Sequence, residues 1–207
     1  MKYRVLFVLL PVVFSAACGD GTWRDAIPSD WEFADNDQAV TAPNGMVVST
    51  DAYASAVGTA ILRAGGNAFD AAVATAFALA VVNPEAGNIG GGGFMVARLS
   101  DGSTSALDFR ERASEAASRD MFLDESGALT SGSREGHKAV GVPGSVAGLW
   151  AMHERFGSLD WTELLAPAIK FAEGFVVRGR QAKSFAANAE SFALYRQTAE
   201  GFLGADS

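Results

Sequence analysis

The sequence predicts a mixed fold of the α+β class, in which helices precede and follow a pair of strands along the chain. Two helix patterns come first, at about 52–64 and 67–82, and glycine or proline marks the end of each. The second pattern is apolar on nearly every side, which is typical of a buried helix too short to span a bilayer. The strands follow, one at Phe94–Val96 and one reaching Arg112, with a turn at Asp101-Gly102 between them.

The other predicted elements depend on weaker local signals. They are a strand at 46–50 and helices at 143–155, 161–173 and 181–198. Pro143 is expected in the first turn of its helix, where a missing N–H costs nothing. Asp160 and Glu163 have the spacing of a capping box, and Pro167 is expected to bend or restart the helix that contains it.

The N-terminal segment predicts export. Lys2 and Arg4 precede the apolar run Val5–Phe14, so residues 1–17 have the pattern of a signal peptide. Cys18, the only cysteine, follows three small residues and resembles the lipidated cysteine of a bacterial lipoprotein. Ordinary signal cleavage would suit the same residues. We expect an exported, periplasmic protein that is anchored to a bacterial membrane through lipid on Cys18.

Residues 18–44 are predicted to form an acidic tether, and residues 45–207 the folded domain. The tether holds six acidic residues against one base, Arg24, which is typical of a solvated segment. The net charge of −8 argues against nucleic acid as a partner. With 49% hydrophobic residues the chain can bury a core. Two histidines and one cysteine cannot form a structural zinc site, and no cofactor is predicted.

The run Gly90–Gly93 is the most unusual feature of the folded domain. Glycine loses much backbone entropy on folding, so four in succession are costly. Such a run is useful where the backbone turns tightly or where another segment or a ligand approaches closely. A flexible linker is the alternative, although core-like residues flank the run on both sides.

Among the residues that could perform chemistry, Arg110 is the strongest candidate. No GxSxG motif is present, and Ser145 in PGSVAG is interpreted as a first-turn helix residue. His137 and His153 are interpreted as surface residues rather than general bases. On an extended strand, Arg110 shares a face with its neighbours at 108 and 112, and its guanidinium suits bidentate capture of a carboxylate. A structural salt bridge with Asp108 or another nearby acid is equally compatible with the pattern.

Five segments together carry a family resemblance. They are GGNAFDAAVA, PEAGNIGGGGFMV, ALDFRERA, RDMFLD and AVGVPGSVAGL, and in this order they resemble the N-terminal half of the gamma-glutamyltranspeptidase (glutathione hydrolase) family over about 45–177. The resemblance implies an N-terminal-nucleophile hydrolase fold, a four-layer αββα sandwich that is incomplete in this chain. It also implies that Arg110 corresponds to the arginine that binds the α-carboxylate of the gamma-glutamyl group.

The family's chemistry sets the remaining expectations. Members cut themselves into two subunits, and the new N-terminal threonine of the small subunit attacks a gamma-glutamyl amide to give an acyl-enzyme, which passes to water or an amine. The resemblance therefore implies glutathione or another gamma-glutamyl compound as substrate, and the small subunit (the missing C-terminal half) as partner. No Thr-Thr-His-like sequence occurs here, so no catalytic residue is expected in this chain and we expect it to be inactive alone. A related cephalosporin or glutaryl acylase, or a non-catalytic lipoprotein that binds a ligand or partner, are the alternatives.

Overall fold

A computed structural model describes residues 40–177 and 179–203. The predicted signal peptide, Cys18 and residues 18–39 of the predicted tether lie outside the described residues. The elements below belong to one compact unit that begins at Ala42. In chain order they are α1 (Ala52–Arg63), α2 (Ala68–Val82), β1 (Phe94–Arg98), β2 (Thr104–Asp108), α3 (Ser145–Phe156), α4 (Trp161–Ala172), α5 (Gly179–Ala187), α6 (Ala189–Ala193) and α7 (Arg196–Phe202), with 3-10 turns at Ser131–Ser133 and His137–Ala139.

Helix α2 is the central element of the core. Asn67 begins it with a capping box, since its side chain accepts hydrogen bonds from the N–H groups of Phe69 and Asp70 while the Asp70 carboxylate accepts from Asn67 N–H. Helices α1, α3 and α4 pack around it, and Val73 and Leu164 are completely buried. The predicted buried helix is therefore confirmed, with nearly the predicted bounds.

Strands β1 and β2 form an antiparallel hairpin. Val96 pairs with Ala106 in the centre, and the turn closes through a hydrogen bond of 2.9 Å from Leu99 N–H to the Ser103 carbonyl. Gly102 has φ +84°, a conformation that side chains disfavour, which explains why glycine occupies this turn. The hydroxyl and N–H of Ser103 hold the pKa of the Asp101 carboxyl below its usual range. The predicted hairpin is confirmed.

The predicted strand at 46–50 is wrong. A strand needs a partner with which to form a hydrogen-bonded ladder, and within the described residues β1 and β2 pair only with each other. Ser49 instead contacts the start of α1: its N–H donates to the Ser55 hydroxyl, and its own hydroxyl donates to the Asp51 carbonyl. Local composition therefore favoured a strand that the described part of the chain does not complete.

Four details of the later helices also differ from the predictions. Pro143 precedes α3, whose N-cap is Gly144, and the Asp160 side chain makes no capping hydrogen bond at α4. Helix α4 does not restart at Pro167, since one helix runs from Trp161 to Ala172 and contains this residue. The predicted helix at 181–198 is three short helices, α5, α6 and α7. Among the described residues, no helix has both the length and the apolar character needed to cross a bilayer.

Candidate functional site

Arg110 lies two residues beyond the end of β2, beside an open cavity of about 560 Å³ between this strand and α3. The alternation of exposure continues past β2 to Arg110, with Phe109 half-buried and Arg110 exposed. It does not continue to Arg112, because Glu111 and Arg112 are both exposed. Arg112 forms an isolated bridge with Val142 instead, through backbone hydrogen bonds of 3.1 and 2.8 Å. The predicted alternation is therefore observed as far as Arg110 and ends at Glu111, beyond the last residue of β2.

The Arg110 guanidinium is only partly engaged by the protein. Its Nε donates a hydrogen bond of 3.0 Å to Glu111 Oε2, and its Cζ lies 5.8 Å from the centroid of the Phe94 ring. No described residue accepts a hydrogen bond from Nη1 or Nη2, and the side chain is 62% exposed. The ion pair allowed by the sequence thus exists, with Glu111 rather than with Asp108. An exposed pair of this kind contributes roughly 0–1 kcal/mol, so it leaves the terminal nitrogens available to a carboxylate.

The glycine run lies against the backbone that carries Arg110. A Cβ atom on Gly92 would be 2.6 Å from the Phe109 carbonyl oxygen and 2.7 Å from the Arg110 Cα. The Gly91 carbonyl accepts hydrogen bonds of 2.7 and 3.0 Å from the N–H groups of Gly144 and Ser145, at the start of α3. Residues 91–93 of the run are therefore a tightly packed connection between the Arg110 segment and α3, and the flexible-linker interpretation is wrong for them.

Ser145 and the two histidines do not form a nucleophilic site. Ser145 is the first residue of α3, as predicted, and its buried hydroxyl donates a hydrogen bond of 2.6 Å to Asn88 Oδ1. His137 is exposed in a 3-10 turn, as predicted. His153 is half-buried and not fully at the surface: its ring packs against Trp150 and Trp161, and Nε2 lies 2.8 Å from the Leu159 carbonyl oxygen.

The described residues contain neither an activated nucleophile nor a metal site. In residues 40–177 and 179–203, no histidine ring is hydrogen-bonded to a serine or threonine hydroxyl. No group of three or more His, Cys, Asp or Glu side chains in this part of the chain could hold a metal ion. The exposed Arg110 guanidinium has the chemical character of a carboxylate-binding group.

Several residues that build the site were missed from the sequence. They include Phe109, whose ring packs on α3, as well as Asn88 and Gly144. One signal was available: Gly144 and Gly148 are four residues apart, so they lie on one face of a helix. Glycine inside a helix costs about 1 kcal/mol relative to alanine, which indicates that something packs closely there.

Comparisons with known proteins identify the family. A family model described as Gamma-glutamyltranspeptidase matches residues 54–207. The chain is 55% identical over 145 residues to a protein named glutathione hydrolase proenzyme from Pseudomonas aeruginosa, a match that covers 69% of this chain and 26% of that protein. It is 51% identical over 140 residues to the protein of the same name from Escherichia coli, covering 67% of this chain and 24% of that protein. The chain thus spans about a quarter of the length of these relatives.

Solved structures show the same likeness. The gamma-glutamyltranspeptidase of Helicobacter pylori superposes with a TM-score of 0.76 at 44% identity, over 79% of this chain and 47% of that chain. The enzyme of Pseudomonas nitroreducens gives a TM-score of 0.72 at 48% identity, over 77% of this chain and 48% of that chain. The predicted fold class, α+β and part of the N-terminal-nucleophile hydrolase αββα sandwich, is confirmed. The chain belongs to the gamma-glutamyltranspeptidase family.

Proposed function

We propose that this chain supplies the carboxylate-binding part of a gamma-glutamyltransferase, or glutathione hydrolase, which cleaves gamma-glutamyl amides. Family membership and the names of the most similar relatives support the reaction. The single structural observation that carries the proposal is Arg110, which lines the open cavity, is 62% exposed, and has no acceptor for its terminal guanidinium nitrogens among the described residues. A guanidinium with two adjacent free N–H groups matches the geometry of a carboxylate.

In this mechanism Arg110 binds the α-carboxylate of glutathione or another gamma-glutamyl compound. A two-pronged contact fixes the direction of the substrate, so the gamma-amide carbonyl lies at a set distance from the arginine. The attacking threonine belongs to a partner, the small subunit, and its freed α-amino group serves as the base. Attack of the threonine hydroxyl on the gamma-amide carbonyl forms a glutamyl ester and breaks the amide C–N bond, and the amine leaves with the proton that the α-amino group took from the hydroxyl. The glutamyl ester then passes to water in hydrolysis or to an acceptor amine in transfer, which frees the threonine again.

The test replaces Arg110 with lysine in the full translation product of the gene. Lysine keeps the charge and loses the planar fork, so we expect KM for a gamma-glutamyl anilide to rise about thirtyfold, or ~2 kcal/mol, with a smaller change in kcat. Arg119→Lys is the matched control, because Arg119 also pairs through Nε with the next residue, Asp120, at 3.4 Å. An unchanged KM in Arg110→Lys would disprove the role of Arg110.

The related acylase activity is a second candidate because one structural relative has it in its name. The cephalosporin acylase of Bacillus halodurans superposes with a TM-score of 0.67 at 30% identity. A glutaryl amide keeps the terminal carboxylate of a gamma-glutamyl amide and lacks its α-amino group, so Arg110 could bind either. The ratio of kcat/KM for the two anilides separates the reactions. We expect the gamma-glutamyl anilide to be preferred, and a preference for the glutaryl anilide would assign the acylase activity instead.

Export and lipid anchoring through Cys18 are also part of the proposal. The sequence Ser15-Ala16-Ala17-Cys18 after an apolar run supports them. A lipidated cysteine carries more than one acyl chain, which is enough for stable anchoring to a bacterial membrane. Cys18→Ser should move the protein from the membrane to the soluble periplasmic fraction or leave it unprocessed. Wild-type protein that is wholly soluble, with no lipid mass on its N-terminal peptide, would exclude the anchor.

A further inference from the structure

We infer that four glycines, Gly92, Gly93, Gly144 and Gly148, form a seat for Phe109 that positions Arg110 for carboxylate binding. This inference rests on the proposed function, because it concerns how the proposed binding arginine is held. The four residues, called here the glycine seat, come from two segments separated by about fifty positions: the run before β1 and the start of α3. They act on Arg110 through its neighbour and are positioning residues.

The first part of the seat holds the Phe109 ring. A Cβ atom on Gly93 would be 2.8 Å from Cε2 and 3.0 Å from Cζ of that ring. A Cβ atom on Gly148, a buried residue inside α3, would overlap the Phe109 side chain at Cγ. The ring therefore fills space that two glycines leave open, one on either segment. Any side chain at either position would push the ring out of its place.

The second part of the seat holds the backbone. A Cβ atom on Gly144 would overlap the Phe109 carbonyl oxygen and lie 3.2 Å from the Arg110 carbonyl oxygen. A Cβ atom on Gly92 would also come close to the same backbone, at the Phe109 carbonyl oxygen and the Arg110 Cα. Two hydrogen bonds hold these backbone segments together. Phe109 N–H donates to the Gly93 carbonyl at 3.0 Å, and Gly144 N–H donates to the Gly91 carbonyl at 2.7 Å.

Space, rather than backbone conformation, explains these glycines. None of the four adopts the positive φ angles that favour glycine, whereas Gly102 and Gly127 do. A helix position such as 148 would be more stable with alanine by about 1 kcal/mol if no neighbour were in the way. The chain thus carries glycine where it weakens local structure, and at each of the four positions the atoms that would clash belong to Phe109, Arg110 or Glu111.

Arg110 needs such a support because its side chain is 62% exposed. Among the described residues, its guanidinium pairs with Glu111 and lies over the Phe94 ring. If the backbone of Arg110 is already fixed, the side chain loses less conformational entropy when it binds a carboxylate. The seat should therefore control KM while leaving the reacting groups untouched.

The experiment is a double-mutant cycle in the full translation product of the gene. Gly148→Ala should raise KM for a gamma-glutamyl anilide about tenfold and change kcat less than about twofold, because only substrate positioning is lost. In the background of Phe109→Ala, which itself raises KM, Gly148→Ala should add less than about twofold more. Additive effects in the cycle would overturn the inference, since they would show that Gly148 does not act through Phe109.

A matched control separates positioning from stability. Gly58 is a buried glycine inside α1, and a Cβ atom there would overlap the Thr75 hydroxyl and lie 2.7 Å from Val47 Cγ1. Gly58→Ala should lower the melting temperature as Gly148→Ala does, and it should leave KM unchanged. An equal rise of KM in Gly58→Ala would show that general loosening of the fold is the cause, and the inference would fail.

A second variant covers the case in which Gly148→Ala does not fold. Phe109→Leu adds no atoms to the seat and leaves part of it empty, so it should fold and raise KM about threefold to fivefold with kcat unchanged. An unaltered KM in this variant would overturn the inference. If Arg110→Lys also leaves KM unaltered, the proposed function fails as well. If Arg110→Lys raises KM while Phe109→Leu and Gly148→Ala do not, only the seat is refuted.

Discussion

The helical core and the Arg110 region achieve close packing by opposite means. In the core formed by α1, α2 and α4, apolar side chains such as Val73 and Leu164 are fully buried and fill the space between helices. Around Arg110, glycine replaces side chains, and backbone lies directly on backbone and on the Phe109 ring. On the outer face of the adjacent β1, Val96 remains exposed.

This difference indicates that one part of the chain stabilises the fold and that another part positions Arg110. Burial of apolar area stabilises a fold, at about 25 cal/mol per Å². Glycine contributes no such area, and it loses more conformational entropy on folding than other residues. We therefore expect substitutions in the core to change the free energy of unfolding without changing KM, whereas the variants of Arg110 and its glycine seat change KM. The predictions that follow test that separation.

The largest effect on stability is expected from Leu164→Ala. Leu164 is completely buried between α4 and α2, so its truncation removes apolar contacts and leaves a cavity, at a cost of about 2–5 kcal/mol in the free energy of unfolding. Leu165→Ala, at the half-buried next position, should cost clearly less. Denaturant titration measures both, and KM of either folded variant should equal that of the wild type. A changed KM in Leu164→Ala would contradict this prediction, because it would show that packing in the helical core also controls substrate binding.

The sequence predicted the helical core better than the site. Helix α2 was predicted nearly residue by residue, because its cap at Asn67, its apolar content and its end before Pro84 are all local signals. The strand at 46–50 failed because a strand depends on a partner elsewhere in the chain. His153 was misjudged for a similar reason, since the aromatic neighbour Trp161 comes from the next helix.

At the site, the sequence predicted the chemical group but not its support. Arg110 was identifiable from residue type and strand position, together with the family resemblance. The contact of Phe109 with Gly148 joins residues 39 positions apart, and the ion pair of Arg110 with Glu111 depends on rotamers. Neither is encoded in local spacing. Only the unexplained cost of glycine, in the run before β1 and inside α3, pointed to a close contact.

An intermediate effect on stability is expected from Asp70→Asn. The fully buried Asp70 carboxylate accepts hydrogen bonds from the N–H groups of Asn67 and Ser158, at 2.9 and 3.0 Å, and from the Ser158 hydroxyl. Burial alone would raise the pKa of Asp70, but these hydrogen bonds hold it below the ordinary value of 3.8. In Asp70→Asn the amide N–H groups would face the N–H and hydroxyl donors that now contact the carboxylate. We expect this to lower the free energy of unfolding by about 1–3 kcal/mol near neutral pH.

The pH dependence of this variant follows from the direction of the pKa shift. Because the folded-state pKa of Asp70 is lowered, its stabilisation is complete above the unfolded-state value and is lost as pH falls through the folded-state value. The stability difference between wild type and Asp70→Asn should therefore shrink as pH falls below about 4. Asp101→Asn is the control in the hairpin turn, where the carboxylate is exposed and the effect should be smaller. A constant difference across this range would contradict the assignment.

The smallest effect is expected from Val96→Thr, and it tests the comparison most directly. Val96 is 85% exposed on β1, and threonine has nearly the same shape and a similar preference for strands, so the free energy of unfolding should change by less than about 0.5 kcal/mol. Val73→Thr makes the same chemical change in α2, where the side chain is completely buried. A hydroxyl placed there should cost about 1–3 kcal/mol, because it loses water and its neighbours are apolar. Equal losses in the two variants would show that the outer face of β1 is packed in the full translation product, and that the Arg110 region has an apolar core of its own.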